Sequence, residues 1–431
     1  MMNKSQIKSN VAVIGMGYVG FPLACAIARN KNYNVFGLDI DEKKINLIKN
    51  KISPVEDAQA SKDIKEVKIN ATTDSTILKD MKFIIICVPT PVNHKKRPDL
   101  TPVIKATESI AKNLRKGQFI ILESTVNPGV SEEVMLPILE KTGLKGGKDF
   151  ELIHCPERIN PGDENWNVYN IPRNIGGITK KGTKLAADFY RSFIKANINE
   201  VSTLKAAEAT KIVENTFRDI NIAYVNELAQ FFDLFGIDIM EVIRGASTKP
   251  FAFMPHYPGC GVGGHCIPVD PYYLIEKARQ LGFNHKFLKI ARSVNNSMPK
   301  YTVNKLVAAL SKRGIKMKGA KVGILGLSYK ANIGDMRESP ALEIKEELIK
   351  LGAKVICHDP HVNGHSDAKL NDVLNNCVGV IIATNHAEFL SIKNWKNVKI
   401  LIDGKNCIKL NQINSSIYYE GIGRGLNAIT N

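Results

Sequence analysis

Short apolar runs alternate with amphipathic segments over the first part of the chain. Five runs have the pattern of strands: NVAVIGMG, YNVFGLDID, FIIICVPTP, QFIILEST and ELIHCPE, of which FIIICVPTP has the apolar character of a buried strand. Three segments between them carry apolar residues at helical spacing: FPLACAIARN, EKKINLIKN and TPVIKATESIAKNLRK. Strands that alternate with helices predict a parallel, doubly wound α/β sheet.

The pattern changes in the middle of the chain and then returns. From Leu204 to Leu234 apolar residues recur every three or four positions without a strong breaker, which predicts one long helix. A glycine- and proline-rich loop follows, and then a helical stretch from Tyr272 to near Leu310. Strand and helix patterns resume with KVGILGLSYK. We therefore predict an α/β protein in which two Rossmann-like doubly wound domains, 1–200 and 311–431, are joined by a central helical domain, 201–310.

A glycine fingerprint follows the first predicted strand. The segment GMGYVG supplies the candidate loop residues Gly15, Gly17, Tyr18, Val19 and Gly20. The first glycine permits a tight turn, the second lets the backbone approach a pyrophosphate, and the third allows close packing of helix and strand. Asp39 lies 19 residues after Gly20, where a carboxylate accepts hydrogen bonds from ribose hydroxyls and repels a 2′-phosphate. This context predicts a site for NAD rather than NADP.

The second α/β region has a poorer version of this loop. ILGLSY contains Gly326 but lacks the third glycine. We interpret it as a related half of the fold that binds no dinucleotide.

Polar residues interrupt the apolar pattern of the long helix. Lys211 and Asn215 are four residues apart and share one helix face, which is typical of a solvated surface but also fits a polar site. Asn226 continues the polar residues among apolar ones. A buried asparagine needs a hydrogen-bond partner, which a polar substrate could supply.

The loop YPGCGVGGHCIPVDP holds Cys260, His265 and Cys266 among glycines and prolines. A metal knuckle, a disulfide and a nucleophilic cysteine are the three interpretations. A metal site lacks a second ligand pair of the usual spacing, and a disulfide is disfavoured if the thiols are reduced. A glycine-rich loop that exposes one thiolate near polar groups fits a nucleophile, and with an NAD site it suggests oxidation through a thioester.

Composition narrows the class of protein. The net charge is +17, from 59 Lys and Arg against 42 Asp and Glu, which suggests anionic partners. The charges are dispersed, so nucleic-acid binding is an unfavoured alternative. No run is long enough for a membrane span, and eight scattered cysteines without a CxxC pair predict reduced thiols and a cytoplasmic enzyme. The three histidines of HDPHVNGH lack the fixed geometry of a metal site, so no metal is expected.

Motifs along nearly the whole chain resemble those of the nucleotide-sugar 6-dehydrogenases, the UDP-glucose/UDP-N-acetylhexosamine dehydrogenase family. The motifs are VIGMGYVGFPLA, CVPTP, ESTVNPG, PERINPG, EATKIVENTFRDINIAYVNE, GCGVGGHCIPVDP, GLSYKANIGDMRESP and GIGR. The resemblance implies a four-electron oxidation of a sugar C6 alcohol to a carboxylate, with two NAD reduced per sugar. It also implies dimerisation, or a higher homo-oligomer, through the long central helix.

The resemblance assigns roles to particular residues. Cys266 would be the nucleophile, and Asp270 would hold or activate the water. Lys211 and Asn215 would stabilise the developing oxyanion, Glu157 would assist proton transfer, and Thr125 would lie beside the water and the nicotinamide. Further cofactor contacts are expected at Pro89 and Thr90. Further substrate contacts are expected at Arg158, Arg218, Tyr257, Gly259, Gly263, His265, Lys330 and Arg337.

Departures from the UDP-glucose pattern point to the N-acetylhexosamine branch. Pro161 stands where UDP-glucose members have a second glutamate, His265 where they have serine, and Val269 where they have lysine. The family arginine upstream of the cysteine motif has no clear counterpart, although Arg244 or Lys249 could compensate. We therefore expect UDP-N-acetylglucosamine as the substrate, with UDP-N-acetylmannosamine and UDP-glucose as alternatives, and a surface polysaccharide precursor as the product.

Overall fold

The computed structural model describes residues 8–93, 96–159, 165–362 and 364–425. The chain divides into two compact units. The first comprises Met1–Glu214 and Tyr272–Phe283, and the second comprises Asn215–Pro271 and Asn284–Asn431. The predicted domain boundaries near 200 and 310 stay a prediction.

Eight strands form the sheet of the first unit. They are β1 (Ser9–Ile14), β2 (Tyr33–Leu38), β3 (Ile69–Thr72), β4 (Phe83–Ile86), β5 (Phe119–Leu122), β6 (Glu151–His154), β7 (Arg173–Gly177) and β8 (Ile198–Glu200). Their order in the sheet is β3-β2-β1-β4-β5-β6-β7-β8. All pairs are parallel except β6 with β7, which is antiparallel. The predicted parallel sheet is thus confirmed from β3 to β6 in the sheet order. Strand β7 then pairs antiparallel to β6, and β8 pairs parallel to β7.

Helices cover both faces of this sheet. The helices up to the long central one are α1 (Gly20–Arg29), α2 (Glu42–Lys49), α3 (Ala58–Glu66), α4 (Thr101–Ala111), α5 (Leu136–Glu140), α6 (Lys180–Arg191) and α7 (Leu204–Phe235). Alternate residues of β1 face opposite cores: Val11 and Val13 pack in the core with α1, and Ala12 and Ile14 pack in the other with α4. Burial on both faces explains why β1 reads as a continuous apolar run.

The second unit contains a five-stranded parallel sheet. Its strands are β9 (Lys321–Leu325), β10 (Lys354–His358), β11 (Gly379–Ile382), β12 (Ile400–Asp403) and β13 (Tyr418–Gly421), in the order β10-β9-β11-β12-β13. The remaining helices of the chain are α8 (Ile239–Ala246), α9 (Asp270–Gln280), α10 (Lys286–Lys312), α11 (Pro340–Lys350), α12 (Leu370–Asn376) and α13 (Ala387–Leu390). Apolar cores lie on both faces of this sheet as well.

The helical stretch predicted from Tyr272 to Leu310 is wrong in one respect, because it is two helices. Helix α9 ends before Gly282, which adopts a left-handed φ of 78°, and the N–H of Phe283 bonds back to the carbonyl of Ala278 at 2.8 Å. This is a glycine-terminated helix end. The glycine in QLGFNH was the signal that the periodicity obscured.

Candidate active site

The loop between β1 and α1 needs two of its three fingerprint glycines for its own packing. Gly15 has a φ of 95°, and a Cβ there would lie 2.5 Å from the carbonyl oxygen of Cys87. A Cβ on Gly20 would lie 2.0 Å from the carbonyl oxygen of Gly15. Any side chain at these positions would displace backbone.

Gly17 has a different environment. A Cβ on Gly17 would meet nothing within 4 Å, so internal packing does not explain the glycine. The carboxylate of Asp39, only 8% exposed, is fixed nearby because it accepts hydrogen bonds from the N–H of Met16 at 2.7 Å and of Asp41 at 2.9 Å. An open glycine face beside a fixed carboxylate fits the pyrophosphate and ribose of a dinucleotide.

The other cofactor candidates lie in loops that follow β1, β4 and β5, which are neighbours in the sheet: Tyr18, Val19, Pro89, Thr90 and Thr125. The carboxyl ends of adjacent parallel strands form one edge, where ligands bind in open α/β sheets. Tyr273 donates a hydrogen bond from its hydroxyl to the carbonyl of Thr90 at 2.5 Å and anchors this loop. Thr125 is half-buried.

A thiol, a carboxyl and an amide meet around the start of α9. The carbonyl of Cys266 accepts hydrogen bonds from the N–H of Val269 at 3.0 Å and of Asp270 at 2.8 Å, so Cys266 and Asp270 are one helical turn apart. The side-chain amide of Asn215 donates to the Asp270 carboxylate at 2.5 Å. Asp270 is 3% exposed, whereas Cys266 is partly exposed. The second unit therefore brings together three of the six residues predicted to be catalytic.

The glycines before Cys266 make room for an aromatic ring. A Cβ on Gly263 would lie 2.6 Å from the Cβ of Tyr329, and one on Gly264 would lie 2.9 Å from its ring. The N–H of Gly264 donates to the carbonyl of Arg337 at 3.0 Å. The cysteine loop is thus held against the loop that carries Lys330 and Arg337.

Several ionisable groups influence the Tyr329 hydroxyl. Burial, together with Asp335 and Cys266, raises the pKa of Tyr329 to about 12, while Arg337 and Arg218 oppose the shift. The guanidinium of Arg337 donates from Nε to both oxygens of Asp335 at 3.0 Å. Burial opposes ionisation of Asp335, yet these bonds keep its pKa below the usual value. Two of the three arginines predicted to bind substrate, Arg218 and Arg337, thus share the electrostatic environment of the Cys266 loop.

The remaining catalytic candidates lie in the first unit. Glu157 follows β6 and is 8% exposed, and one of its oxygens accepts the N–H of Ile159 at 2.5 Å. Arg158 forms an ion pair with Glu214 at 2.7 Å. Lys211, on α7, is 9% exposed. Pro161 lies outside the described residues.

Asn226 corrects one expectation. Its side chain accepts a hydrogen bond from the N–H of Gly259 at 2.9 Å and donates one to Asn295 at 2.9 Å. The protein itself satisfies this buried amide, so no substrate is needed there. Asn226 instead anchors the start of the glycine-rich loop, while Tyr257 is exposed.

The other cysteines are shielded. Cys260 is a fully buried free thiol whose sulfur lies 3.4 Å from the carbonyl oxygen of Gly404, so the disulfide to Cys266 does not form. Burial raises the pKa of Cys260 and Cys155, the latter to about 12. Cys407 is only half-buried, but burial and the neighbouring Asp403 both raise the pKa of its thiol.

Family models cover three successive parts of the chain. The NAD-binding domain of the UDP-glucose/GDP-mannose dehydrogenase family matches residues 9–194, its central domain matches 205–297, and its UDP-binding domain matches 323–410. The chain belongs to the UDP-glucose/GDP-mannose dehydrogenase family.

Similar proteins agree with this family. UDP-N-acetyl-D-glucosamine 6-dehydrogenase of Pseudomonas aeruginosa is 40% identical, over 88% of this chain and 91% of that protein. UDP-N-acetyl-D-mannosamine dehydrogenase of Pyrococcus horikoshii is 37% identical, over 96% and 99%. The solved structure of UDP-D-ManNAc dehydrogenase from Pyrococcus horikoshii has a TM-score of 0.90 and 37% identity, covering 96% of this chain and 99% of that one.

Membership of the UDP-glucose/GDP-mannose dehydrogenase family confirms the predicted α/β fold, the NAD cofactor and the class of NAD-dependent UDP-sugar dehydrogenase. The particular UDP-sugar and the catalytic roles of individual residues stay predictions. In the described part of the chain, no helix is both long and apolar enough to cross a membrane.

Several structural contributors gave no signal in the sequence. Tyr329 packs on the glycines of the cysteine loop, and Arg173 reaches Glu123 from 50 residues away in the chain. Neither residue type is diagnostic alone, and only the sheet order β5-β6-β7 brings the second pair together.

Proposed function

We propose that this chain oxidises the C6 alcohol of a UDP-N-acetylhexosamine, with UDP-N-acetylglucosamine favoured, to the uronic acid through a thioester on Cys266. The observation that carries the proposal is the turn in which Cys266 bonds to the N–H of Asp270 while Asn215 donates to the Asp270 carboxylate. This arrangement supplies an accessible thiol together with a carboxylate whose orientation is fixed. Both are needed to form a thioester and then to hydrolyse it.

The chemistry balances over two oxidations. NAD serves as the hydride acceptor in both. The first oxidation converts the alcohol to an aldehyde, and the Cys266 thiolate then adds to the aldehyde carbon, whose oxygen takes a proton. Loss of the second hydride from this thiohemiacetal leaves a thioester. Water attacks the thioester, the sulfur leaves as thiolate, and the products are the carboxylate and the restored enzyme. Trapping the aldehyde on sulfur keeps it from diffusing away between the steps.

Each remaining residue has a proposed role. Asp270, oriented by Asn215, holds the hydrolytic water. Lys211 stabilises the negative oxygen of the alkoxide and of the tetrahedral adduct. Glu157 assists proton transfer, and Thr125 lies beside the water. Lys330 and Arg337 bind the uridine diphosphate, a dianion for which guanidinium and ammonium groups are suited.

The sugar assignment rests on the departures noted in the sequence and on the relatives. The relative that acts on UDP-N-acetylglucosamine is 40% identical and the one that acts on UDP-N-acetylmannosamine is 37% identical, so the C2 epimer is the part of the proposal most in need of measurement. UDP-glucose is the third candidate. The uronic acid product fits a precursor of a surface polysaccharide.

The test is a panel of the three UDP-sugars assayed with NAD and with NADP. We expect two NADH per UDP-N-acetylglucosamine consumed and higher kcat/KM for it than for the other sugars. One NADH per sugar would contradict the four-electron reaction. A higher kcat/KM for UDP-N-acetylmannosamine would replace the substrate and leave the mechanism unchanged.

The thioester is tested with Cys266→Ser. The variant should form at most the aldehyde level and no uronic acid, because a serine hydroxyl is a far weaker nucleophile than a thiolate. Cys407→Ser, a change at another incompletely buried thiol, is the matched control and should retain acid production. Full acid production by Cys266→Ser would refute the thioester.

A homodimer is also proposed, with α7 as the contact helix. Its part in the second unit exposes large apolar side chains: Phe217, Tyr224, Phe231, Leu234 and Phe235. Exposed apolar area of this kind is typical of an interaction surface. Light scattering should give twice the 47.6 kDa chain mass or a higher multiple, and a monomer would contradict the proposal.

A further inference from the structure

An arginine with no solvent exposure lies beside Glu157 in the first unit. Arg173, the first residue of β7, has a side chain that is 0% exposed. Burial of a guanidinium is costly unless carboxylates compensate its charge. Two carboxylates face it, those of Glu123 after β5 and Glu157 after β6.

Glu123 is the fully engaged partner. One of its oxygens accepts a hydrogen bond from Nη1 of Arg173 at 2.8 Å, and the other accepts one from the Tyr190 hydroxyl at 2.5 Å. Burial raises the pKa of Glu123, and Arg173 and Tyr190 oppose that shift. This pair fixes the guanidinium in place.

Glu157 faces the other end of the same guanidinium. Nη2 of Arg173 and Oε1 of Glu157 are 3.8 Å apart, within ion-pair range but beyond a hydrogen bond. Neither atom has a hydrogen-bond partner among the described residues. The carboxylate therefore has a cation within ion-pair range but no hydrogen bond to it.

Few other groups can alter the charge here. Cys87, Cys155 and Tyr190 also interact with this cluster, and burial raises the pKa of all three, so they are neutral near pH 7. In the described part of the chain these contacts leave one cation shared by two carboxylates. The Glu157 carboxylate therefore faces the positive charge of Arg173, whose other side is paired with the negative charge of Glu123.

We propose that Arg173 is a positioning residue whose charge aims the Glu157 carboxylate for proton transfer, with Glu123 as the fixed counter-charge. The inference rests on the proposed role of Glu157 in proton transfer. No side chain of this trio other than Glu157 is required to touch substrate.

The proposal is tested on the acidic limb of the kcat–pH profile, where kcat falls as the pH decreases. Glu157→Gln first shows whether that limb belongs to Glu157, since the variant should lose most activity together with the limb. Glu123→Gln removes the competing negative charge but leaves the cation, so its limb should move to lower pH than in the unaltered enzyme. The amide can accept from Arg173 and donate to the Tyr190 oxygen, which preserves the hydrogen bonds.

The decisive comparison adds Arg173→Met to Glu123→Gln. Replacing both members of a buried ion pair by neutral groups avoids an uncompensated charge, so the fold should persist. The limb of the double variant should lie at higher pH than that of Glu123→Gln alone, because the attractive cation has been removed. Arg173→Lys with Glu123→Gln should restore most of the lower position.

The possible failures are distinguishable. If Glu157→Gln keeps full activity, the proposed role of Glu157 fails, and this inference fails with it. If Glu157→Gln loses the limb but the single and double variants share one limb, Arg173 is structural only. Disappearance of the limb in Glu123→Gln would assign it to Glu123 and overturn the proposal. If the methionine variant does not fold, Glu123→Gln alone decides, and a limb that is unmoved or moves up overturns the proposal.

Discussion

The loop after β1 and the loop after β9 have the same backbone design. Gly15 and Gly326 both adopt left-handed conformations, with φ of 95° and 89°. Their N–H groups donate to the last carbonyls of the neighbouring strands, at 2.8 Å to Leu38 and 2.9 Å to His358. In each loop the N–H of the next residue donates at 2.7 Å to an aspartate that follows the neighbouring strand, Asp39 or Asp359.

The two aspartates differ in how many further donors they receive. One oxygen of Asp359 accepts from the N–H and the hydroxyl of Ser328, at 2.9 and 2.6 Å, and lies 3.0 Å from Nε2 of His386. The other accepts the N–H of His361 at 2.8 Å. Asp359 is therefore saturated by the protein.

Asp39 accepts from two backbone N–H groups, and Lys44 lies 3.6 Å away. It keeps acceptor capacity for ribose hydroxyls. Gly17, which is open, stands where the second loop has Ser328, whose hydroxyl turns inward to its own aspartate. The same turn can thus bind a ligand when its aspartate has unused hydrogen-bond acceptor capacity. It has a structural role when donors of the protein use that capacity.

The largest expected effect distinguishes the packing role of Gly20 from the cofactor-binding role of Gly17 in the loop after β1. Gly20→Ala places a Cβ against the Gly15 carbonyl oxygen and should destabilise the enzyme by about 3 kcal/mol. Gly17→Ala is the matched control, because its Cβ meets nothing within 4 Å. It should leave the thermal midpoint unchanged and weaken NAD binding at least tenfold. Equal stability losses in both variants, measured by thermal unfolding, would erase the distinction.

The second prediction concerns Asp359. Burial opposes its ionisation, but the hydrogen bonds from His386, Ser328 and backbone N–H groups outweigh burial and lower its pKa. A lowered pKa contributes stability that is present above about pH 4, the unfolded value, and is lost as pH falls toward the folded value. Asp359→Asn should destabilise the enzyme by about 2 kcal/mol at pH 7.

The stability difference between Asp359→Asn and the unaltered enzyme should shrink below pH 4. Denaturant unfolding at a series of pH values measures it. A difference that stays constant down to pH 2 would show that the ionised form of Asp359 is not what stabilises the loop.

The smallest effect is expected at Asp39. Asp39→Asn removes the charge that excludes a 2′-phosphate, so the ratio of kcat/KM for NAD over NADP should fall about tenfold. The corresponding change Asp359→Asn should leave the ratio unaltered because that carboxylate is saturated. An unchanged ratio in Asp39→Asn would remove Asp39 from cofactor selection.

The sequence predicted most of the strands because those strands are buried on both faces and read as apolar runs. The long helix α7 could also be predicted from the sequence, because its apolar periodicity runs from Leu204 without a helix-breaking residue. Periodicity failed at Gly282, where a backbone conformation rather than polarity ends the helix. Strand β8 was not predicted, because Ile198 is its single buried residue and its sequence therefore shows no apolar pattern.

The candidate site was predictable where chemistry is local in sequence. Cys266 and Asp270 fall in one turn, and the glycine loop is a single motif. Partners distant in the chain were not predictable: Asn226 meets Gly259 and Asn295 only after folding. A polar residue in an apolar pattern indicates that a partner exists, but the pattern does not identify that partner as protein or ligand.

Because the cysteines differ in exposure, we expect them to differ in their sensitivity to oxidants. Seven thiols are buried or held in the protonated state by their surroundings, and their burial leaves oxidants and alkylating reagents little access. Damage should therefore concentrate on Cys266, so that the fold outlasts the activity. A preparation that has lost turnover can still be fully folded.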